Sequence, residues 1–544
     1  MVVLSNARSR AEIHFEFDRA MRCLNDGWMR RFACLLLTIL SIFGSTQNSP
    51  AAGMARHVVV VVWDGMRPDF VSPELTPNLW ELSRAGVTFQ NHHPVYPSAT
   101  EVNGTALATG VYPGNSGIIA NKEFRPAVDP LKSFGTEAMV AVRKADQISQ
   151  NHYLRRSTVA EILQKKGFRT AVAGTKPVAL LHDRLDRPAG FDSELIYEGH
   201  SLPTNALSQI LRDRGPFPKA DATKIALDDW TTATLTENLW GKDMPRYSLL
   251  WLGEPDFSQH ATGVGSGQSI TAIRSCDRNL GRVLQALEAR GVREKTDVLV
   301  MSDHGFSTIS RRIDLAEILK QGGFHATREF KSPPASGEVM VVGNGGAALL
   351  YVVGREMENV RRLVEFLQDQ DFTGVLFTRE KFAGTFSLEQ AHLDSPDRPD
   401  VLISFRWNAT KNSNGAPGLI VSDGSERGPG QGMHVTLSRF DMHNILFAAG
   451  PDFKQGVFDS LPSGNMDIAP TILWLLGVTP PEKMDGRVLS EALTVAGPKL
   501  KTYETGRWTA EADRGNSRWR QYLSHSVVNG VIYFDEGNGE ASPK

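Results

Sequence analysis

The chain has 544 residues, of which 41% are hydrophobic and 22% are charged, as in an ordinary globular protein. Its 59 basic and 61 acidic residues give a formal net charge of −2. A protein that holds a nucleic-acid polymer electrostatically needs an excess of basic residues, so this balance argues against DNA or RNA binding. It leaves small nucleotides open as substrates.

The first 53 residues have the features of a leader. Met29-Arg30-Arg31 precedes an apolar run over residues 32–43, and small or polar residues follow up to residue 53. A positive start, a short apolar core and a small-residue exit predict a signal peptide over residues 29–52, with Met1 or Met29 as the start. The run is shorter than the ~20 residues of a membrane span, and no other stretch is apolar enough. We therefore expect an exported protein, periplasmic or secreted, with no membrane span in the mature chain.

Strands and helices alternate after the leader. Continuous apolar runs predict buried strands at residues 57–63, 169–174, 247–253 and 297–302. Runs with helical spacing or with proline and glycine at their ends predict helices at residues 76–86, 157–167, 269–291 and 356–370. This alternation predicts an α/β fold with a largely parallel central sheet flanked by helices.

The alternation breaks between about residues 325 and 425, where Gly, Pro and Ser cluster around one predicted helix. We interpret this stretch as an inserted cap-like subdomain of a catalytic domain that spans residues 54–500. Residues 501–544 are polar, and we expect them to form an irregular C-terminal extension on the outside, apart from residues 526–534.

Three predicted strands are each followed by an aspartate. Asp64, Asp256 and Asp303 follow the strands at 57–63, 247–253 and 297–302, and His260 and His304 accompany two of them. Ligands of open α/β sheets bind beyond the carboxyl ends of the strands, so we expect these side chains to converge. Carboxylate and imidazole together suit zinc. The pattern predicts a metal site at this edge.

Longer motifs extend the pattern. In chain order they are VVVVVWDGMRPD, TPNLWELSRAGV, PVYPSATEVNGTALATGVYPGNSGIIAN, WLGEPDFSQHATG, MSDHGFSTI, GQGMHVT, FAAGPDFK and MDIAPTILWLLGV. In these motifs the chain resembles the alkaline-phosphatase superfamily and, within it, the nucleotide pyrophosphatase/phosphodiesterase (type I phosphodiesterase) family, from about residue 57 to 489. The resemblance implies an alkaline-phosphatase-like fold and a hydrolase that cleaves phosphate esters of small-molecule substrates.

The resemblance also implies a site with two divalent metal ions, for which Zn²⁺ is the expected metal. The implied ligands form two sets around the reacting phosphate: Asp256, His260 and His434, and Asp64, Asp303 and His304. Thr100 would be a ligand of the second set and the nucleophile, forming a phospho-threonine intermediate, and Asn121 would donate a hydrogen bond to a phosphate oxygen. Two cations can clamp the attacking and leaving oxygens, and a bound metal lowers the pKa of a hydroxyl, so no separate base is needed.

The residue after the nucleophile departs from the family pattern. Relatives that hydrolyse nucleotides commonly have an aromatic residue there, which can stack on the base, whereas this chain has Glu101. A carboxylate would repel a substrate phosphate or attract a cationic leaving group, so we do not infer a preference for nucleotides. Sulfatases of the superfamily carry a Cys/Ser-x-Pro-x-Arg motif at this place, and its absence argues against sulfatase activity.

Two alternatives stay open beside a phosphodiesterase. A phosphomonoesterase or phosphonate hydrolase would use the same metals and the same threonine. It would need further basic groups for the extra charge of a monoester, and Lys122 and Arg125 are the candidates nearest to Asn121. A non-catalytic binding protein on this scaffold is disfavoured, because every expected metal and nucleophile position holds a competent residue.

Overall fold

A computed structural model describes residues 53–185, 193–221, 223–241, 243–424, 427–495, 497–500 and 503–544. The predicted signal peptide lies outside the described residues. Within them, every helix is too short or too polar to cross a membrane.

The apolar run His57–Trp63 is the middle strand of a nine-stranded sheet. In sheet order its strands are Val457–Asp459, Val87–Phe89, Leu446–Ala449, Thr296–Met301, His57–Trp63, Tyr247–Leu252, Thr170–Gly174, Glu194–Tyr197 and His200–Leu202. The five neighbouring strands from Thr296–Met301 to Glu194–Tyr197 run parallel. The predicted α/β class and largely parallel sheet are confirmed, and the predicted strand ends differ from the observed ones by at most one residue.

Helices cover both faces of this central sheet. Alternate residues of the middle strand pack into two different hydrophobic clusters, one with Val58, Val60 and Val62 and the other with Val59 and Val61. The α-helices of the described residues are Pro77–Arg84, Thr100–Thr109, Pro113–Ser116, Met139–Ser149, Val159–Lys165, Ala206–Arg214, Ile225–Ala233, Asp256–Thr262, Gly267–Ala289, Leu315–Gln321, Met357–Gln368 and Ile468–Leu475. A strand buried on both faces needs apolar residues at every position, which explains its continuous valine run.

Two further sheets lie beyond residue 306. A six-stranded sheet has, in order, Ala326–Thr327, Val339–Gly343, Ala347–Val352, Val401–Phe405, Thr373–Thr378 and Phe386–Ser387. A four-stranded sheet has Trp407–Lys411, Pro417–Asp423, Ser307–Ile313 and Gly432–Met433. The stretch at 325–425 thus has its own sheet and a helix, Met357–Gln368, and its role as a cap stays a prediction.

The C-terminal extension is not irregular, and the prediction for it was wrong. It forms an antiparallel sheet of three long strands, Tyr503–Asp513, Ser517–Val528 and Val531–Pro543. One face is buried through Trp519 and Leu523, and the side chain of Gln521 bonds both backbone groups of Leu376 in the six-stranded sheet. The many polar residues belong to the exposed face, as expected for an antiparallel sheet covered on one side.

Candidate active site

Three parallel strands of the central sheet bring carboxylates to one edge. Asp64 directly follows the middle strand, Asp303 follows its neighbour on one side and Asp256 follows its neighbour on the other, and all three are buried. The chain leaves the middle strand through Gly65, whose φ is +71° and where a Cβ would lie 2.8 Å from the ring of Phe306. Only glycine fits this turn, and its N–H donates to Oδ1 of Asp303 at 3.0 Å.

Three buried histidines surround these carboxylates, each held by a backbone carbonyl. Nδ1 of His260, His304 and His434 lies 2.9, 2.8 and 2.8 Å from the carbonyl oxygens of Gly432, Gly305 and Ser98, respectively. A carbonyl oxygen only accepts, so Nδ1 carries the proton and Nε2 keeps a lone pair in the neutral ring. Burial lowers the pKa of all three imidazoles and thus favours the neutral form. This tautomer is the one in which Nε2 can bind a metal.

The carboxylates and imidazoles form two overlapping groups that could hold a metal ion. Within each group the ligand atoms lie within 4.8 Å of one another: Asp64, Asp303 and His304, and Asp256, His304 and His434. Three buried carboxylate oxygens have no hydrogen-bond partner: Oδ1 of Asp64, Oδ1 of Asp256 and Oδ2 of Asp303. The oxygens of Asp64 and Asp303 lie 3.6 and 3.2 Å from Nε2 of His304, and the oxygen of Asp256 lies 3.7 Å from Nε2 of His434. Carboxylate oxygens and imidazole lone pairs that face one another in a buried site repel unless a cation lies between them. This set of oxygen and nitrogen ligands therefore fits divalent metal ions.

His260 belongs to the same neighbourhood. Its Nε2 lies 3.2 Å from Oδ1 of Asp256, and its ring centre is 5.3 Å from that of His434. The two sets implied by the sequence are therefore both assembled. The tighter group around Asp256 contains His304 in place of His260, because the rings of His304 and His434 stack with centres 3.7 Å apart.

Thr100 lies beside this cluster as the first residue of the helix Thr100–Thr109, which is buried throughout. Its Oγ1 is 3.2 Å from Nε2 of His304. The side chain of Asn121 is held by the residue that follows Thr100. Its Oδ1 accepts a hydrogen bond of 3.1 Å from the backbone N–H of Glu101. That bond leaves the amide nitrogen of Asn121 as a donor for another group.

Lys176 is a residue of this site that the sequence analysis missed. It lies two residues past the strand Thr170–Gly174, and its Nζ is 3.0 Å from Oδ2 of Asp64 and 2.7 Å from Oδ2 of Asp256. Nε1 of Trp251 donates to the same oxygen of Asp64 at 2.8 Å. Each carboxylate thus bonds Lys176 through Oδ2 and turns Oδ1 to the imidazoles. The only signal in the sequence was a lysine after a buried parallel strand.

Several polar residues considered for the site have other partners. Nη2 of Arg125 pairs with Oε2 of Glu123 at 2.6 Å and also donates to the carbonyl oxygen of Gly117. The Lys122 side chain is exposed. Glu101 is buried beside Thr100, at 6% exposure, and its Oε2 has no hydrogen-bond partner.

A largely parallel sheet with a threonine and a buried Asp/His cluster at its carboxyl edge defines the class of alkaline-phosphatase-like hydrolases. Residues 58–423 match the family model of type I phosphodiesterase / nucleotide pyrophosphatase, and the chain belongs to this family. It is accordingly a phosphoric ester hydrolase.

Relatives support the same assignment. Ectonucleotide pyrophosphatase/phosphodiesterase family member 5 of Homo sapiens is 24% identical over 443 residues, which cover 78% of this chain and 75% of that protein. Family member 7 of Homo sapiens is 23% identical, over 85% of this chain and 89% of that protein. The solved structure of murine family member 5, an inactive variant in complex with AMP, covers 81% of this chain and 100% of its own at 20% identity, with a TM-score of 0.57. This last likeness shows the fold.

Proposed function

We propose that the protein is a metal-dependent phosphodiesterase that cleaves small-molecule phosphate esters through a phospho-threonine at Thr100. The observation that carries the proposal is the position of the Thr100 hydroxyl, 3.2 Å from Nε2 of His304 and thus beside the buried cluster. The AMP complex of the murine relative supports a phosphate ester as the ligand.

Asp256, His260 and His434 would hold one divalent ion, and Asp64, Asp303, His304 and Thr100 would hold a second. Mixed carboxylate and imidazole donors without thiolate favour zinc. When bound, such ions would supply positive charge to the phosphate and lower the pKa of a coordinated hydroxyl.

The residues of the chain would then act as follows. The hydroxyl of Thr100 loses its proton, Oγ1 forms a bond to phosphorus, and the bond from phosphorus to the leaving oxygen breaks. The leaving oxygen takes up a proton, which balances the one lost by Thr100, and the second ester group stays on phosphorus. Water later attacks phosphorus, the bond from phosphorus to Oγ1 breaks, and Oγ1 regains a proton. Asn121 donates a hydrogen bond to a non-bridging oxygen. Because Thr100 begins a helix, the N-terminal end of the helix dipole also favours negative charge there.

Local charge favours diesters over monoesters. A monoester dianion brings one more negative charge than a diester. Arg125 is paired with Glu123, the Lys122 side chain is exposed, and the residue next to Thr100 is the buried Glu101, which supplies no cation. We therefore place the phosphomonoesterase or phosphonate hydrolase second.

The decisive experiment combines one variant with trapping of the intermediate. We expect Thr100→Ala to lower kcat for bis-p-nitrophenyl phosphate by at least about a thousandfold, because a covalent nucleophile is lost. Acid quenching of the wild type should leave a p-nitrophenyl phosphoryl group on the peptide that contains Thr100, detected by mass spectrometry, because only one of the two ester bonds breaks in this step. Thr109→Ala is the matched control, since its hydroxyl lies in the same buried helix and bonds the carbonyl oxygen of Thr105 at 2.7 Å. Retention of more than about a tenth of the activity in Thr100→Ala would rule out the covalent route.

We further propose a catalytic domain at 54–500 that contains the insertion at 325–425, and export of the protein to the periplasm or medium. N-terminal sequencing of the exported protein tests the removal of the leader. A mature N-terminus near residue 53 is expected, and an intact leader would contradict it.

A further inference from the structure

A cavity of about 520 Å³ adjoins the candidate metal centre. Its wall nearest the centre is formed by Lys176, which bonds Asp64 and Asp256, and by Phe257, which directly follows Asp256. Lys176 contacts both ligand sets, but Phe257 places the cavity beside the Asp256 set, whereas the other set contains Thr100. In a two-metal displacement, one ion holds the attacking oxygen and the other holds the leaving oxygen. With metals and substrate bound, the cavity would therefore lie on the leaving-group side.

Two lysine ammonium groups meet at this wall. Nζ of Lys224 lies 3.8 Å from the ring centre of Phe257, and Nζ of Lys176 lies 5.0 Å from the same centre. The ring of Phe257 packs directly against Gly253, where a Cβ would come within 2.3 Å of it. Lys224 is half-buried, and among the described residues no carboxylate forms an ion pair with its ammonium group. The acid that lines the cavity, Glu198, is exposed at its rim.

Bound metals would make the charge of Lys176 available to the cavity. Between them, two divalent cations would more than neutralise the aspartates that now share its ammonium group. Two ammonium groups and an aromatic ring beside apolar walls, which include Phe217 and Leu227, suit an organic group that carries an oxyanion.

We propose that this cavity is a leaving-group subsite for an oxyanion, phosphate or carboxylate, with Lys224 as its specificity-determining residue. The subsite deepens the proposed function and rests on it. The anion does not react: the phosphorus–oxygen bond breaks as described, and the leaving group departs with its own charged group intact.

Two matched esters test the subsite. Phenyl p-nitrophenyl phosphate and its analogue with a carboxylate on the nitrophenyl ring differ only in the charge of the leaving group. The measured quantity is the kcat/KM of the carboxylate ester divided by that of the plain ester. We expect Lys224→Met to lower this ratio about tenfold, the effect of losing one charge-assisted contact. Lys219→Met, which removes an exposed lysine of the same loop, should leave the ratio within about twofold. Lys224→Arg keeps the charge and should stay within about threefold of the wild type.

Each result is decisive. An unchanged ratio in Lys224→Met, or an equal loss on both esters, would overturn the subsite while leaving the proposed function intact. Failure of the wild type to hydrolyse either ester would overturn the proposed function, and the subsite with it. If Lys224→Met does not fold, as judged by thermal unfolding, Lys224→Gln and Lys224→Arg form the deciding pair, and the ratio should fall only in the glutamine variant.

Discussion

Lys176→Met removes the cation that joins the two ligand sets while keeping a side chain of similar length. In the structure, Nζ lies 2.7 and 3.0 Å from two buried carboxylates, and the lysine side chain is itself only 13% exposed. Removing one partner of a buried ion pair costs about 3–5 kcal/mol, because the other charge stays buried without compensation. We expect the metal-free variant to lose about this much free energy of unfolding.

The metal-loaded protein should lose much less, about 1 kcal/mol, since bound cations replace the missing charge at the same carboxylates. By linkage, metal then stabilises the variant more than it stabilises the wild type. Urea unfolding near pH 8, with chelator and with saturating zinc, measures both differences. Lys320→Met is the control, because that lysine is 53% exposed and its pair with Glu317 is worth about 0.5 kcal/mol or less. An equal loss with and without metal, or a metal-free loss below about 1 kcal/mol, would refute the reasoning.

Four further predictions concern pH, metal binding and substrate charge. Burial raises the pKa of Asp303 to about 7, although the nearby Lys176 lowers it, so below that pH a metal ion must displace a proton from Asp303. The apparent metal affinity should therefore weaken below about pH 7 and level off above it. Calorimetry in two buffers of different ionisation enthalpy should detect the released proton. The same raised pKa makes the metal-free fold lose stability as pH rises towards 7. His434→Ala should lower the metal content from two ions per chain towards one, as measured by elemental analysis, and an unchanged content would exclude His434 as a ligand. Burial and the neighbouring Glu137 raise the pKa of Glu101, so its carboxylate opposes a phosphate dianion only above that raised pKa. Glu101→Gln should therefore narrow the preference for bis-p-nitrophenyl phosphate over p-nitrophenyl phosphate as pH rises, because an ionised carboxylate costs the dianion about 1–4 kcal/mol at ~4 Å. A preference that Glu101→Gln leaves unchanged at every pH would contradict this.

Much of the fold and of the candidate site was predictable from short, local patterns. The five parallel strands include continuous apolar runs such as His57–Trp63, as strands buried on both faces require. Once these runs are identified as parallel strands, their carboxyl ends share an edge, so Asp64, Asp256 and Asp303 had to converge. Thr100 and His434 were placed by resemblance alone, because no local pattern connects them to that edge.

The C-terminal sheet was not predictable in the same way. The strand Tyr503–Asp513 is almost wholly exposed, and along Ser517–Val528 buried residues such as Trp519 and Leu523 alternate with exposed or half-buried ones. In composition such strands are as polar as a loop. Only their pairing along 11 residues, and the contact of Gln521 with the six-stranded sheet, show that they are ordered strands.

Lys176 shows what a ligand pattern omits. The strand before it, Thr170–Gly174, contributes no metal ligand, so a search for Asp and His at strand ends has no reason to continue past it. Its neighbour in the sheet is Tyr247–Leu252, whose carboxyl end leads to Asp256, and this register places the lysine beside the ligands. The ammonium group of this lysine orients two carboxylates and would also repel the metal ions that those carboxylates bind. The charge of the centre is therefore set by a strand outside the ligand set, and the same lysine carries that charge to the wall of the neighbouring cavity.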